Sequence, residues 1–441
     1  MNSIAPPTRR VLEALGLAKP EHRAWALYDW ANSAYVTTVV TAVFPVYYSA
    51  VVASDLPAAE ATRRFAVAST VALILAAVSS PFLGALADQL PIKKKLLAVF
   101  AALGVLSTVG LFWVGPGDRL LAEGLFVVGN IGLMGSFVFY DALLPHVASE
   151  KEMDRLSSAG YALGYLGGGL LLFLNLFMLQ RPEVLGLKDA ASASRVSFLT
   201  VAVWWSAFSI PLFRKVREPT LTGSTQHPFS EAWKRLIHTA SALRSYPAAA
   251  LLLAAYFFYN DGIGTMYRMA AIYGAELGLN AGALLLTLAV TNIVSIPFAF
   301  AFGAVATKVG AKPALLASLV VYIGISVGAF FLQSELHFFI LAMAVALVQG
   351  GAQALSRSLF ATLIPRDRSA QFFGLFGVTD KVSGVFGPLV FAVVGSAFGS
   401  SRYAVVSVAL FFILGGALLA FVNVEQGRVR AVRGASINGR S

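Results

Sequence analysis

Long apolar stretches alternate with short polar loops along nearly the whole chain. A membrane core about 30 Å thick requires roughly 20 apolar residues in a helix. Stretches of this kind predict twelve membrane-spanning helices, which we number as spans 1 to 12 in chain order. Spans 1 and 7 are longer than one straight crossing requires, which predicts a tilt or a break in each. The predicted spans cover residues 24–53, 64–87, 96–114, 120–144, 157–179, 195–213, 247–275, 281–306, 313–332, 337–362, 370–398 and 402–422.

Composition and charge agree with a membrane protein and exclude a soluble one. Apolar residues make up 58% of the chain and charged residues only 12%, about half of the roughly 25% found in soluble chains. Most of the 33 Lys and Arg residues fall in loops on the same side as both termini. This distribution predicts an even number of spans with both termini in the cytoplasm. It also explains the net charge of +11 without a nucleic-acid partner.

The chain contains no cysteine, and its five histidines do not form a helical pair or cluster with carboxylates. The residues therefore predict neither a disulfide nor a metal site, and we expect no cofactor.

Internal repetition divides the predicted spans into two halves. The loop after span 2, residues 84–95, has a counterpart after span 8, residues 303–312, and Leu143-Leu144-Pro145 after span 4 matches Leu363-Ile364-Pro365 after span 10. The two offsets along the chain are nearly equal, which predicts two parallel six-helix repeats. The predicted segments are a cytoplasmic N-terminal segment, an N-terminal bundle, a basic cytoplasmic linker, a C-terminal bundle and a basic tail, at residues 1–23, 24–213, 214–246, 247–422 and 423–441.

Two motifs resemble a known family. Gly84, Asp88 and the basic cluster that begins at Lys93 resemble the signature between helices two and three of the major facilitator superfamily. The segment from Trp25 to Pro45 resembles the opening helix of the vacuole-effluxer branch, whose fungal members export amino acids from the vacuole. The resemblance implies the all-α major facilitator fold and a secondary transporter that works by alternating access, not an enzyme.

Ionisable residues inside a span cost about 2.5–3.5 kcal/mol on insertion scales, so each is a candidate functional residue. In span 7, Asp261 shares one helical face with Thr265 and Arg268 and has Asn260 beside it. Burial disfavours the charged form of a carboxyl group, so we hypothesise that Asp261 binds a proton or an amine. The alternative is a structural ion pair between Asp261 and Arg268.

Span 10 carries Gln349, Gln353 and Arg357 on one face. Arg357 is predicted to bind a substrate carboxylate, since a guanidinium can donate two parallel hydrogen bonds. The alternative is that Arg357 neutralises Asp380 of span 11. Lys381 is expected to point away from its neighbour Asp380, and therefore to require a substrate or another acidic residue.

Span 1 contributes a polar group near its cytoplasmic end, formed by Tyr28, Asp29 and Asn32. We predict a role in the cavity or in a gate, with a capping or loop-anchoring role as the alternative. A second set is predicted to hold the cytoplasmic side closed as a latch, with Asp141 within reach of the basic cluster that follows span 2. Thr307 replaces the signature aspartate in the second copy, which predicts an asymmetric latch. The predicted latch residues are Gly84, Asp88, Lys93, Lys94, Asp141, Gly303 and Lys308.

These observations predict a secondary active transporter in the bacterial cytoplasmic membrane. Its solute is predicted to be an amino acid or a related carboxylate-bearing metabolite. Transport is predicted to be coupled to protons, and efflux is one possible direction. The expected partners are this solute, protons and membrane lipid, without an obligatory protein partner. Two alternatives remain open, namely an exporter of drugs or organic cations and a membrane sensor that has the same fold but does not transport. A membrane enzyme would need a catalytic loop outside the bilayer, and the longest loop here is short and basic.

Overall fold

The structure is a computed structural model that describes residues 7–218 and 243–438. Within these residues every regular element is a helix. The middle of the predicted linker, residues 219–242, and both chain ends, residues 1–6 and 439–441, lie outside the described residues.

The predicted all-α fold with twelve spans is confirmed. Eleven stretches of the described residues are helical, long and apolar enough to cross a membrane, and the 30-residue helix Pro247–Glu276 supplies span 7. The other spans, in chain order, are Pro20–Val52, Arg63–Ala87, Lys93–Trp113, Arg119–Val147, Glu150–Gln180, Ala190–Lys215, Leu286–Val309, Ala311–Phe330, Glu335–Leu363, Arg366–Phe398 and Ser401–Ala420.

Several helices extend beyond these apolar stretches or lie outside them. The helix of span 2 begins at Ala58 and that of span 8 at Ala281. Short helices are Pro7–Ala14, Pro182–Leu185 and Val424–Asn438. We call the end of the bundle where span 1 begins and span 12 ends the termini side, and the opposite end the far side.

Span 1 is irregular, as its length predicts. The α-helix Pro20–Ala34 continues as the π-helix Tyr35–Ala42, the short α-helix Val43–Tyr47 and the π-helix Tyr48–Val52. π-Helical turns are uncommon and frequently mark functional regions. Span 7, for which a tilt or a break was also predicted, is one continuous helix.

Span 11 is broken instead, into Ser369–Ser383 and Phe386–Phe398. Pro388 lies in the first turn of the second segment, where its missing N–H is tolerated. The proline ring cannot pack against the carbonyl group four residues earlier, which belongs to Gly384, and it leaves that carbonyl without its helical hydrogen bond. The break lies within the sequence Gly384-Val385-Phe386-Gly387-Pro388, where the proline permits it.

Helix packing defines two groups and the interface between them. Spans 3 and 4, spans 1 and 5, and spans 1 and 6 pack together in the N-terminal half, as do spans 8 and 10 and spans 7 and 12 in the C-terminal half. Span 5 packs against span 8, and span 2 against span 11, so these two helix pairs form most of the contact between the halves.

The far sides of the two halves are packed differently. In the N-terminal half, aromatic rings fill the space, with Phe44 stacked on Phe126 at 5.0 Å between ring centroids and Phe65 5.1 Å from Phe126. In the C-terminal half a cavity of about 90 Å³ remains, lined by apolar side chains and by Thr265 and Thr291.

Candidate functional site

The guanidinium of Arg357 joins four spans near the termini side. It lies 3.2 Å from Asp29 Oδ2 and 3.1 Å from Asp141 Oδ1. Its Nε donates to Ser157 Oγ at 2.9 Å, and its Nη2 donates to the Ser157 carbonyl at 3.0 Å. The Arg357 side chain is only 3% exposed, so one guanidinium and two carboxylates share a buried site. We call these four residues the Arg357 cluster, which ties span 10 to spans 1, 4 and 5.

Aromatic rings surround this guanidinium. The centroids of the Trp25, Tyr140 and Tyr161 rings lie 4.9, 5.6 and 4.5 Å from Arg357 Cζ, distances at which a cation is attracted to a ring face. Tyr140 also donates a hydrogen bond to Asp29 Oδ2 at 2.9 Å. A Cβ at position 160 would overlap the Asp29 carboxylate, so Gly160 gives the cluster the space that it occupies.

The partners of Arg357 and Asp141 differ from two of the interpretations drawn from the sequence. Arg357 pairs with Asp29 and Asp141, not with Asp380. Asp141 pairs with Arg357, not with the basic cluster after span 2. The reason is helix packing, because Arg357 faces spans 1, 4 and 5, whereas the segment of span 11 that carries Asp380 packs mainly against spans 2, 4 and 7 and little against span 10.

Asp88 makes a buried contact between the halves on the termini side. Its carboxylate accepts the backbone N–H groups of Ala370 at 3.2 Å and Gln371 at 2.7 Å, at the start of span 11. Lys93 lies 2.7 Å from the same carboxylate and donates to Ser369 Oγ at 2.9 Å. Burial raises the pKa of the Asp88 carboxyl above its ordinary value, against the opposing charge of Lys93. The loop after span 2 thus binds span 11 mainly through backbone N–H groups of span 11.

Gly84 completes this contact, which we call the first latch and define as Gly84, Asp88 and Lys93 against residues 369–371. A Cβ at Gly84 would overlap the carbonyl of Ala370, so only glycine allows the two backbones to come this close. Lys94 has a different role, since its Nζ donates to the carbonyls of Phe213 and Val216 at the end of span 6. Lys94 therefore stabilises the N-terminal half itself.

The corresponding contact after span 8 is weaker. Gly303 packs against Ser158 of span 5, where a Cβ would come within 2.7 Å of the serine Cβ. Thr307 accepts one hydrogen bond from Arg155 Nη2, at 3.3 Å. Thr307 and Lys308 are both exposed. We call the contact of Gly303 and Thr307 with Arg155 and Ser158 the second latch, and it differs from the first as the replacement of aspartate by Thr307 predicts.

A second polar group lies between spans 7 and 11, deeper in the bundle. Asp380 Oδ1 accepts hydrogen bonds from the Tyr256 hydroxyl at 2.8 Å and from Asn260 Nδ2 at 3.1 Å. Lys381 Nζ lies 3.8 Å from Asp380 Oδ2 and donates to the carbonyl of Gly377 at 3.2 Å. The expectation that Asp380 and Lys381 point apart is therefore wrong, because the flexible lysine stem folds back along its helix. Of the two side chains, Asp380 is 46% exposed and Lys381 10%.

Asp261 lies beside the break in span 11. Its Oδ2 accepts the backbone N–H of Gly387 at 2.8 Å, and among the described residues neither its Oδ1 nor Thr265 Oγ1 has a hydrogen-bond partner. Both side chains are fully buried. Asp261 and Arg268, both among the described residues, do not form the ion pair that was the structural alternative. Arg268 Nη2 instead donates to the Gly384 carbonyl at 3.0 Å.

The other predicted residues of spans 1 and 10 are held within their own halves. Tyr28 and Asn32 are buried, and Asn32 Nδ2 donates to the Tyr28 carbonyl at 2.7 Å. Gln349 is buried and donates to Ser295 of span 8. Gln353 is half-buried, one turn before Arg357. The structure thus brings Asp29 and Arg357 together, while the amides of Asn32 and Gln349 form hydrogen bonds within their own halves.

Sequence reasoning missed several residues of these sites. Ser157, Gly160 and Tyr161 belong to the Arg357 cluster or its surroundings, and all three lie near the start of span 5. Because Arg357 was predicted inside span 10, aromatic residues at the same depth in other spans were a signal that could have been sought.

Comparison with known proteins gives consistent results. A family model described as "Vacuole effluxer Atg22 like" matches residues 60–432. A Bacillus subtilis protein named as an uncharacterized MFS-type transporter, YxiO, is 38% identical over 92% of this chain and 95% of its own length. Autophagy-related protein 22-1 of Neosartorya fischeri is 28% identical over 63% of this chain, and the match covers 49% of that protein.

Solved structures of major facilitator transporters share the fold. The proton:xylose symporter XylE bound to 6-bromo-6-deoxy-D-glucose superposes with a TM-score of 0.69 at 15% identity, over 93% of this chain and 96% of that chain. The human organic anion transporter MFSD10 also gives a TM-score of 0.69, at 14% identity, over 94% of this chain and the whole of that one. At such low identity these likenesses establish the arrangement of the helices and leave the solute open.

Proposed function

This chain belongs to the Atg22-like vacuole effluxer family of the major facilitator superfamily, and we propose that the solute it carries is an amino acid or a related carboxylate-bearing metabolite. It is a multi-pass membrane protein and a secondary transporter, not an enzyme, as the resemblance in spans 1 to 3 implied.

The observation that supports the solute proposal is the pair of opposite charges Asp380 and Lys381, which lie on span 11 beside span 7. Asp380 lies about 20 Å along span 11 from Arg366, at 1.5 Å per residue, and so near mid-membrane. A charged side chain at this depth normally faces the bundle interior or a water-filled cavity. The exposed Asp380 carboxylate suits an ammonium group, and Lys381 beside it suits a carboxylate. The free amino acids carry both groups close together.

The contacts on the termini side support alternating access. The Arg357 cluster and both latches join the halves on this side, so the structure corresponds to a state closed there. We propose that opening separates Arg357 from Asp29 and Asp141, after which its guanidinium meets the solute carboxylate. Gln353, one turn away on span 10, would then line the same path. Tyr28 and Asn32, buried beside Asp29, would keep that carboxylate in position.

We also propose that the termini side is cytoplasmic, in a bacterial inner membrane, because most basic loop residues lie there. Proton coupling is supported by the buried carboxylates of spans 1, 4 and 7, which lie where the chain can expose them to either side in turn. Efflux from the cytoplasm is the proposed direction, on the strength of the family description alone.

Uptake by proteoliposomes tests the solute proposal. The purified protein is offered a panel of radiolabelled amino acids, with and without an imposed pH gradient, beside Asp380→Asn and Lys381→Met variants. Lys188→Met, in the exposed loop between spans 5 and 6, is the matched control for the lysine change. We expect uptake in the wild type and the control, and its loss in both site variants. Unchanged uptake and selectivity in Lys381→Met would refute the two-charge site.

An exporter of organic cations is the second candidate, because Asp380 is more exposed than Lys381. In the same assay such a protein would accumulate an organic cation but no amino acid, and Lys381→Met would retain activity. Folded protein that moves neither class of solute would favour the non-transporting sensor.

A further inference from the structure

Two side chains of opposite charge on span 7, Arg268 and Asp261, face the break in span 11. Arg268 donates to the Gly384 carbonyl, which Pro388 leaves free at the end of the first segment. Asp261 accepts from Gly387 N–H at the start of the second segment. A helix carries partial negative charge at its C-terminus and partial positive charge at its N-terminus. Each side chain thus meets the helix end of opposite sign, and span 7 stabilises the break with both charges.

The second oxygen of the Asp261 carboxylate has a different environment. Oδ1 of Asp261 and Oγ1 of Thr265 lie on the same side of Gly387, since a Cβ there would overlap Thr265 Oγ1 and come within 2.8 Å of Asp261 Oδ1. Both atoms are buried and lack a partner among the described residues. Two oxygens are too few for a metal ion, which requires about four to eight ligands. A proton requires only an acceptor, which Asp261 Oδ1 supplies, with Thr265 Oγ1 on the same side of Gly387.

We propose that Asp261 and Thr265 form the proton-binding site of the transporter and that span 11 transmits its protonation to the solute site and to the first latch. The inference rests on the proposed function and adds the location of the coupling site and its mechanical link. The proton comes from water on the open side and binds to Asp261 Oδ1; the neutral carboxyl group then turns to donate to Thr265 Oγ1, with which it makes no hydrogen bond in this structure. No other bond changes.

Span 11 is suited to this transmission because one helical segment carries three contacts. The segment Ser369–Ser383 begins where Asp88 binds the N–H groups of Ala370 and Gln371. Near its end it carries Asp380 and Lys381, the two charges of the proposed solute site. The break that follows directly is held by Asp261. Neutralising Asp261 weakens its interaction with the helix N-terminus at Gly387, so that the two segments of span 11 are free to move relative to span 7.

Few charges compete with this site. Arg268, on the same helix as Asp261, lies within electrostatic reach of both Asp261 and Asp380. Span 12 presents Phe411 and Phe412 to the adjoining turn at Gly262. The charged groups facing the site are thus Arg268 from span 7 and, beyond it, Asp380 with Lys381 from span 11.

The first experiment compares two modes of transport in the Asp261→Asn variant. Asparagine keeps the acceptor for Gly387 N–H but cannot be protonated. We expect solute exchange across liposomes without a gradient to be retained and gradient-driven accumulation to be lost. Accumulation at the wild-type level in Asp261→Asn would overturn the inference. Absence of both modes in the wild type would instead overturn the proposed function, and wild-type uptake that ignores the pH gradient would reject proton coupling alone.

A second variant guards against a simple folding defect. Thr265→Val removes the hydroxyl acceptor and leaves the side-chain shape nearly unchanged. Its control is Thr291→Val, since Thr291 lines the same cavity but donates within its own helix to Thr287. Coupling between sites typically changes an affinity by about 5- to 150-fold. We expect the pH dependence of solute affinity to shrink in Thr265→Val and not in Thr291→Val, and equal behaviour of the two would count against the site.

The mechanical link has its own readout. The chain has no cysteine, so spin labels can be placed on cysteines introduced at the exposed positions Lys95 and Arg366, beside the first latch. We expect acid pH to lengthen the distance between the labels in the wild type and to have no effect in Asp261→Asn. The same pH response in both proteins would show that span 11 does not transmit protonation from Asp261.

Discussion

The two latches occupy equivalent positions in the two halves but are built differently. In the first, a buried carboxylate binds backbone N–H groups of the opposite half and a buried lysine. In the second, an exposed threonine accepts one long hydrogen bond from an arginine. Exposed polar contacts contribute little, whereas breaking a buried ion pair is costly. From this difference we predict that the two contacts hold the termini side unequally, the first more strongly than the second.

The largest effect is expected from breaking the first latch at its charge. Asp88→Asn leaves Lys93 buried without a counter-ion, which costs about 3 kcal/mol, the low end for a broken buried pair because burial already opposes the Asp88 charge. We expect a lower temperature of unfolding and an open termini side. Distances between spin labels at positions 95 and 366 measure the opening. If those distances match the wild type, the first latch does not hold the closed state.

A matched pair of glycine variants compares the two latches by the same added atom. At Gly84 a Cβ would overlap the Ala370 carbonyl, whereas at Gly303 it would come within 2.7 Å of the Ser158 Cβ, a less severe overlap. Overpacking costs about 1–3 kcal/mol, and we expect Gly84→Ala at the upper end and Gly303→Ala at the lower end. Chemical unfolding in detergent measures both. Equal losses would remove the asymmetry that the two contacts suggest.

The smallest effect is expected from making the second latch resemble the first. Thr307→Asp places a carboxylate beside Arg155, and an exposed ion pair stabilises by about 0.2–1 kcal/mol. The gain should decrease at high salt, because exposed charges are screened. Thr307→Asn is the uncharged control. A gain that does not depend on salt would point to a cause other than the ion pair.

The sequence predicted the spans because local information determines them, whereas the latch role of Gly84, Asp88 and Lys93 stays a prediction. Apolar stretches fix the helices, and the spacing of Gly84, Asp88 and Lys93 places the first two at the end of one helix and Lys93 at the start of the next. The same reasoning paired Arg357 with Asp380, because spans 10 and 11 are neighbours in the chain. The partner of a charge deep in a membrane depends on which helices meet in space, and Asp29 lies far from Arg357 in sequence.

The break in span 11 was also beyond the sequence, although Pro388 is visible there. Pro81 and Pro297 lie inside the continuous helices Ala58–Ala87 and Ala281–Val309. Proline alone therefore does not distinguish a break from a tolerated kink. The difference at Pro388 is that Arg268 and Asp261 stabilise the exposed helix ends, a condition that only the packing of span 7 against span 11 reveals.

The first latch has a consequence for how this chain can change during evolution. Asp88 binds N–H groups of the main chain, and every amino acid except proline supplies such a group. Substitutions at positions 370 and 371 are therefore restricted by size and by proline, but not by hydrogen-bonding chemistry. Asp88 has no such freedom. The two sides of one contact would then drift at different rates, and a library of variants should show tolerance at 370 and 371 opposite an intolerant 88.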